Sequence, residues 1–357
     1  MRENLLRNIL LVVVLIFIGG CATSKHAGPD GSLLRRAETG EVLRSFNIDP
    51  ALEETILSLD PERVTEKDVR QVLSRAPAPH IMNIHGGIYP VHLAMESFSR
   101  FLIGMGYPQE AIKNPGNGSY SYSCYDSSEK LAGILAWHYE HEGLRPMIVG
   151  HSQGGMQAVK VLHELAGKFD GKVNVWNPLT DAEEERQTII DPLTGTEQPV
   201  VRLTLSYVSA VGAGGVTRLL PNQWSMIGRL RSIPDSVEEF TGFSIGVDFW
   251  GGDFFGLSTS NLYQANGTAA VRNVKLPGTY NHVIIPVTSH LAETEEMRDW
   301  INAYTPVEEP RLDVQFESQS MNILWAADVW HSIKKHWTLE LKRLIEAKRR
   351  LQHGQLP

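Results

Sequence analysis

The chain has little cysteine and no excess of positive charge. Its 357 residues include two cysteines, Cys21 and Cys124, which excludes a small scaffold held together by several disulfides. Because 42% of the residues are hydrophobic, the chain can bury a large core instead. The formal net charge of −8 offers no electrostatic support for a nucleic-acid partner, so we expect none.

Several signatures of metal and cofactor binding are also missing. The sequence contains no HExxH motif and no closely spaced pair of cysteines, the usual signs of a zinc site. His138 and His141 lie three residues apart on a predicted helix, but a solvated helix face explains this pair better than a metal does. The GAGG segment at 212–215 lacks the GxGxxG spacing of a dinucleotide loop. We therefore expect neither a metal nor a cofactor.

The first twenty residues have the pattern of a targeting segment. Arg2 and Arg7 precede the apolar run ILLVVVLIFI, which is too short for a comfortable membrane span. The stretch IGGC at 18–21 resembles a bacterial lipobox, which implies that residues 1–20 are a signal peptide and that Cys21 carries acyl chains such as palmitate. An ordinary signal peptide or an anchor helix is the alternative.

The resemblance to a lipoprotein also bears on location and on the second thiol. Ala22 follows the cysteine where the inner-membrane retention rule of this class would require aspartate, so we expect an outer-membrane anchor that faces the periplasm. With Cys21 acylated, Cys124 has no intramolecular disulfide partner. We interpret Cys124 as a buried small residue rather than a nucleophile.

Strand-like and helix-like segments alternate over most of the remaining chain. This alternation predicts an α/β fold with a mostly parallel sheet of about six strands, covered by helices. Thr65 and Asp68 have the spacing of a helix-capping pair, and DPLTG is typical of a turn. The predicted segments are a tether with short helices (21–79), the main domain (80–305), an inserted hairpin (173–200), a lid-like segment (212–240) and a C-terminal helical extension (306–357).

A long amphipathic helix is predicted over 322–352. It carries seven Lys and Arg residues against three Asp and Glu residues, and its apolar residues recur every three or four positions. Packing of the apolar stripe on the main domain is one interpretation. Contact of the basic face with an anionic membrane or with a partner is the other.

One short stretch indicates chemistry. Residues 147–155 read MIVGHSQGG, in which a strand-like run leads into Gly-x-Ser-x-Gly around Ser152 and then into a helix. About 65 residues earlier, another short apolar run leads into HGG at 85–87. Together these two motifs resemble an α/β-hydrolase of the lipase/esterase type.

The resemblance implies roles for individual residues. Ser152 would be the nucleophile, and the backbone amides of Gln153 and Gly87 would form the oxyanion hole. His85 would order the HGG turn and would not be the base. A histidine and a carboxylate would follow the serine in the order Ser, Asp, His.

Two histidines and two aspartates compete for the remaining roles. His282 follows the predicted last strand AAVRNVKLP by five residues, and we prefer it as the base over His290, which lies farther on. The family places the acid just beyond the preceding strand, predicted as FTGFSIGVDFW. We therefore prefer Asp253, in the glycine loop after this run, while Asp248, within the run, stays open as the alternative acid.

These inferences lead to an expected function and two alternatives. The expectation is a lipid-anchored serine hydrolase that cleaves carboxylic esters or lipids, bound to the membrane through Cys21. The first alternative is a binding or structural lipoprotein that has kept a hydrolase fold without turnover. The second is an acyltransferase, which would share the acyl-enzyme and differ in the acceptor.

Overall fold

A five-stranded parallel sheet forms the centre of the protein. The computed structural model describes residues 46–214, 221–245, 248, 262–316 and 319–353, so the predicted signal peptide and Cys21 lie outside the described residues. None of the helices in these ranges is long and apolar enough to cross a membrane. The strands are β1 (Ile81–Ile84), β2 (Met147–His151), β3 (Leu205–Val211), β4 (Val237–Ile245) and β5 (Ala270–Leu276).

The strands lie in the sheet in the same order as in the chain, and each is parallel to its neighbours. Parallel neighbours need crossover connections that return the chain to the starting edge, and α-helices supply the connections from β1 to β2 and from β2 to β3. The helices are α1 (Pro50–Ser58), α2 (Glu66–Gln71), α3 (Tyr89–Gly104), α4 (Ser128–Glu142), α5 (Gln153–Leu165), α6 (Glu295–Ala303) and α7 (Ile323–Gln352).

The predicted α/β class and the parallel sheet are confirmed, with five strands in the described part of the chain where about six were expected. One boundary matters for the site. The predicted strand FTGFSIGVDFW begins at Phe240, whereas β4 begins at Val237 and ends at Ile245. Asp248 therefore lies beyond the strand instead of within it.

The segment 173–200 contains two short antiparallel pairs, where the sequence suggested one hairpin. Trp176–Asn177 pairs with Ala182–Glu183, and Thr188–Ile190 pairs with Glu197–Pro199. The DPLTG turn closes the second pair, since the amide of Gly195 donates to the Asp191 carbonyl at 2.7 Å.

The predicted lid-like segment 212–240 is only partly described, because residues 215–220 lie outside the described ranges. A single 3₁₀ turn spans Pro221–Met226, and the short strand Ser232–Ile233 pairs with Gln264–Ala265. The last four residues of the segment, from Val237 onward, belong to β4 and thus to the central sheet.

The C-terminal helix α7 packs against one face of the sheet and against the N-terminal helices. Its three large indole side chains, Trp325, Trp330 and Trp337, are fully buried. Several of its basic residues have partners within the chain: Lys348 pairs with Glu53 at 2.8 Å, Arg349 with Glu54 at 2.6 Å, and Lys335 with Glu62 at 2.6 Å. The apolar stripe thus packs on the domain, and two of the basic side chains are bound to acidic residues of α1.

We predict that Trp337→Ala lowers the free energy of unfolding by about 3–5 kcal/mol, the usual cost of truncating a large aromatic side chain in a core. The Trp337 ring lies 4.8 Å from the ring of Tyr107, and its indole N–H donates to the Pro77 carbonyl at 2.8 Å. Urea unfolding followed by circular dichroism measures the change.

The matched control is Trp224→Ala, because Trp224 is 58% exposed. We expect this control to change the free energy of unfolding by less than about 1 kcal/mol. Equal effects of the two substitutions would contradict the packing described for α7.

Candidate active site

Ser152 has a backbone conformation that non-glycine residues rarely adopt. It lies between the end of β2 and the start of α5, with φ of 56° and ψ of −121°. Its amide donates to the Val211 carbonyl at the end of β3, at 2.9 Å. A Cβ at Gly154 would overlap the Ile84 carbonyl oxygen, so only glycine lets α5 begin this close to β1. The turn thereby presents the serine side chain at the carboxyl edge of the sheet.

His282 joins Ser152 to a carboxylate. It lies in the loop after β5, with its Nε2 at 2.9 Å from Ser152 Oγ and its Nδ1 at 2.8 Å from Asp248 Oδ2. An ionised carboxylate can only accept, so Nδ1 donates to Asp248 and Nε2 accepts from the serine hydroxyl. Both side chains are almost fully shielded, at 9% and 4% exposure. This arrangement can remove a proton from the serine as it attacks an electrophile.

Of the two aspartates suggested by the sequence, Asp248 contacts the histidine. Asp253, the preferred acid, lies outside the described residues. Because β4 ends at Ile245, Asp248 is three residues beyond the strand, where the resemblance leads one to expect the acid. The predicted strand extended to Trp250, and this later end is what favoured Asp253.

His290, the reserve base, makes no hydrogen bond with Ser152 or Asp248 in the described part of the chain. It belongs to the 3₁₀ turn Ser289–Ala292, and burial lowers the pKa of its imidazole. Its Nε2 is buried without a hydrogen-bond partner among the described residues. His282 makes both of the contacts that a base of this type needs.

The HGG turn lies directly against the serine. A Cβ at Gly86 would lie 2.9 Å from the Cβ of Ser152. The amides of Gly87 and Gln153 therefore flank the serine from two elements, the turn after β1 and the first residue of α5. Within the described ranges neither amide donates to a backbone carbonyl, so both are available to an oxygen atom bound beside Ser152.

The side chain of His85 orients one of these amides. Burial lowers the pKa of His85 to about 4, so the ring is neutral near pH 7, and its Nδ1 donates to the Gly86 carbonyl at 2.7 Å. That carbonyl shares a peptide plane with the Gly87 N–H, and in a trans peptide the two groups point in opposite directions. By holding the carbonyl, His85 fixes the direction of the Gly87 N–H.

Sequence analysis did not single out two residues that support the site. His151 is fully buried, and its Nε2 donates to the backbone carbonyl of His282 at 2.6 Å. Burial lowers the pKa of His151 well below the ordinary value. The ring is therefore neutral near pH 7, and its hydrogen bond holds the loop that carries His282. Its position next to Ser152 in the motif could have marked His151 as part of the site. Its partner could not be predicted, because the contact joins residues 131 positions apart.

The second of these residues is Tyr125, whose hydroxyl donates to the Gly87 carbonyl at 2.6 Å. This contact holds a second carbonyl of the HGG turn, next to the Gly86 carbonyl that His85 holds. Nothing in the sequence around Tyr125 indicates the contact, which joins residues 38 positions apart. The neighbouring Cys124 is 1% exposed and packs in the apolar cluster beneath the sheet.

Comparison with known proteins adds nothing to this geometry. No model of a protein family matches the chain, and neither a curated protein nor a solved structure matches it.

We predict that Gly212→Ala abolishes most of the reactivity of Ser152 toward a fluorophosphonate probe. Gly212 has φ of +60°, and a Cβ there would lie 2.8 Å from two atoms of the His282 ring and 3.3 Å from Asp248 Oδ2. The added methyl group displaces the imidazole from the serine. The rate of covalent labelling, measured by mass spectrometry, should fall at least about 100-fold, as expected for a misplaced catalytic group.

Gly228→Ala separates displacement of the histidine from backbone strain. Gly228 also has a left-handed φ, +76°, but a Cβ there meets nothing within 4 Å. The two variants therefore share a strain of roughly 1–2 kcal/mol, and only Gly212→Ala should lose labelling. Similar labelling rates in the two variants would contradict the geometry around His282.

Proposed function

We propose that this protein is a serine hydrolase with an α/β-hydrolase fold, and that it cleaves carboxylic esters through an acyl-enzyme on Ser152. The observation that carries the proposal is the hydrogen-bond chain from Ser152 through His282 to Asp248, at 2.9 Å and 2.8 Å. The strained turn at Ser152 and the order of the three residues along the chain support it.

The reaction runs in two halves. As Ser152 Oγ attacks the ester carbonyl, His282 Nε2 takes the hydroxyl proton; the same proton then goes to the departing alcohol oxygen as the C–O bond breaks. Water attacks the resulting acyl-enzyme, again losing a proton to Nε2, and the carboxylic acid leaves as Ser152 recovers its proton.

Asp248 takes the role of the acid in this proposal. Its carboxylate accepts from Nδ1 and so holds the histidine in the tautomer whose Nε2 can receive a proton. The negative charge also stabilises the imidazolium that exists between the two proton transfers. Such a charge is worth most where water is excluded, and the Asp248 side chain is 4% exposed.

The amides of Gly87 and Gln153 would stabilise the oxyanion. Loss of one such donor typically costs about 2.7–4 kcal/mol of transition-state stabilisation. Gln153 is the first residue of α5, so the positive end of the helix dipole faces the same oxygen. His85 and Tyr125 would act as positioning residues, because each holds a carbonyl of the HGG turn.

Apolar side chains near the HGG turn support an acyl substrate. Tyr89 and Leu93, at the start of α3, are 59% and 48% exposed, and Tyr125 beside Gly87 is 45% exposed. A water-soluble protein gains nothing from several large apolar side chains in one exposed region unless that region meets another apolar surface. An ester with an apolar acyl chain, such as a lipid, fits this surface.

The proposed location depends on residues outside the described ranges. The lipobox-like IGGC stretch supports acylation at Cys21, and Ala22 supports an outer-membrane anchor that faces the periplasm. A tether of this kind would hold the enzyme at a lipid surface.

We predict that Ser152→Ala folds normally and loses essentially all hydrolysis of p-nitrophenyl esters, because among the described residues Ser152 supplies the hydroxyl that is paired with His282. A series of acyl chain lengths identifies the preferred substrate. Fluorophosphonate labelling of the wild-type protein should also vanish in the variant. Cys124→Ser is the matched control and should keep both activities.

Two results would contradict the proposal. Folded wild-type protein that neither labels nor hydrolyses any ester would favour the alternative of a binding or structural lipoprotein. Activity that survives Ser152→Ala but is lost in Cys124→Ser would place the nucleophile elsewhere.

We predict that Asp248→Asn lowers kcat by on the order of 10⁴, since asparagine favours the wrong histidine tautomer. Asp253→Asn serves as the control and should leave kcat within about tenfold, the range of an indirect effect. Steady-state kinetics on one ester, with circular dichroism to check folding, gives both values. The opposite ranking would return the acid role to Asp253.

A further inference from the structure

Three potential metal ligands form a cluster away from Ser152. His80 comes directly before β1, whereas His138 and Glu142 lie one turn apart near the end of α4. One ligand-capable atom from each of the three side chains lies within 4.8 Å of the other two. The two histidines are buried, at 0% and 3% exposure. The sequence analysis placed His138 on a solvated helix face, and its burial shows that this interpretation is wrong.

Each member of the cluster has a buried atom with no hydrogen-bond partner among the described residues. These atoms are His80 Nδ1, His138 Nε2 and Glu142 Oε2. Buried polar atoms are nearly always paired, so three unpaired ones in a single cluster call for a missing partner. Two ring nitrogens and a carboxylate oxygen are all electron-pair donors, and a metal ion can accept from all three.

The opposite side of each ring already has a hydrogen-bond partner. Metal-binding histidines usually donate their second ring N–H to a fixed oxygen, which sets the tautomer, and His80 Nε2 lies 3.0 Å from the Tyr122 hydroxyl. His138 Nδ1 lies 2.7 Å from Glu142 Oε1. Because Nδ1 and Nε2 face opposite edges of the ring, the Glu142 carboxylate must turn away from this contact when it binds the ion. With the protons on these nitrogens, the unpaired nitrogens present their lone pairs.

The charge of the cluster also favours a cation. Glu142 is the last residue of α4, where the negative end of the helix dipole disfavours a carboxylate. A cation bound beside the Glu142 carboxylate would offset this repulsion.

We propose that His80, His138 and Glu142 bind a divalent transition-metal ion, with Zn²⁺ as the best match. Two imidazoles and a carboxylate are a ligand set that Zn²⁺ accepts, with one position left for water. The rings are stacked at 3.6 Å between centroids and 10° between planes. Because nitrogen lone pairs lie in the ring planes, binding must tilt the two rings apart at the metal.

The site would stabilise the fold and would take no part in the proposed hydrolysis. His80 lies at the amino end of β1, whereas the HGG turn and Ser152 lie at the carboxyl edge of the sheet. Ile84 lies four residues along the chain from His80, a distance of roughly 13 Å in an extended strand. A metal ion here would join the start of β1 to the end of α4.

The test is titration of the purified, EDTA-treated full-length protein with Zn²⁺ and with Co²⁺. We expect one Zn²⁺ per chain with a Kd of about 10 µM or tighter, a rise in Tm that grows with Zn²⁺ concentration, and visible absorption from bound Co²⁺. Glu142→Gln, at the partly exposed end of the helix, should weaken binding at least about 100-fold.

His141→Gln is the matched control, because His141 lies on the same helix beside the cluster and should leave affinity and stoichiometry unchanged. His138→Gln checks the result if Glu142→Gln alters folding. Absence of binding to the folded protein would overturn the proposal, as would equal losses in Glu142→Gln and His141→Gln. Ester hydrolysis should persist without the metal, so failure of this proposal is distinguishable from failure of the proposed function.

Discussion

The sharp turn at Ser152 is the constraint on which the arrangement of the site depends. The serine holds φ of 56° between β2 and α5, a strained conformation that persists only where the surroundings over-determine it. Three strands do so here: β2 carries the residue, the end of β3 accepts its amide proton at Val211, and the end of β1 approaches Gly154 without a side chain between them. A parallel sheet brings these three ends to one edge.

The histidine loop depends on the same edge. His151, which precedes the serine in the motif, donates a hydrogen bond to the His282 carbonyl and so holds this loop in place. The left-handed glycine at 212, just past β3, leaves room for the imidazole and for the carboxylate of Asp248. Ser152, Asp248 and His282 thus lie beyond the carboxyl ends of β2, β4 and β5, three strands of one parallel sheet.

The far face of the sheet depends on buried ion pairs as well as on apolar packing. Asp328 of α7 receives two hydrogen bonds from Arg272 of β5, and Glu340 of α7 binds Arg145, which precedes β2. Both carboxylates are fully shielded. Loss of Arg272 would leave the buried charge of Asp328 without its partner, whereas Glu340 would keep a second partner, Arg343. These pairs fix where the long helix lies on the sheet, and its tryptophans and aliphatic side chains are buried against the domain.

Several parts of the fold and of the site could be predicted from the sequence, because hydrophobic periodicity and the positions of glycines in turns are local signals. The strand–turn–helix around Ser152, the long helix and the choice of His282 depend on residues close in the chain. Tertiary structure decided the rest. The predicted strand ends at Trp250 and β4 at Ile245, a difference of five residues that moves the expected position of the acid from Asp248 to Asp253. No local pattern sets where that strand stops. The contacts of His151 with His282, and of His80 with His138, join residues that only the folding of the sheet brings together. Burial keeps His151 neutral and leaves His80 and His138 each with an unpaired ring nitrogen. Burial depends on how the elements pack, which the order of residues does not show.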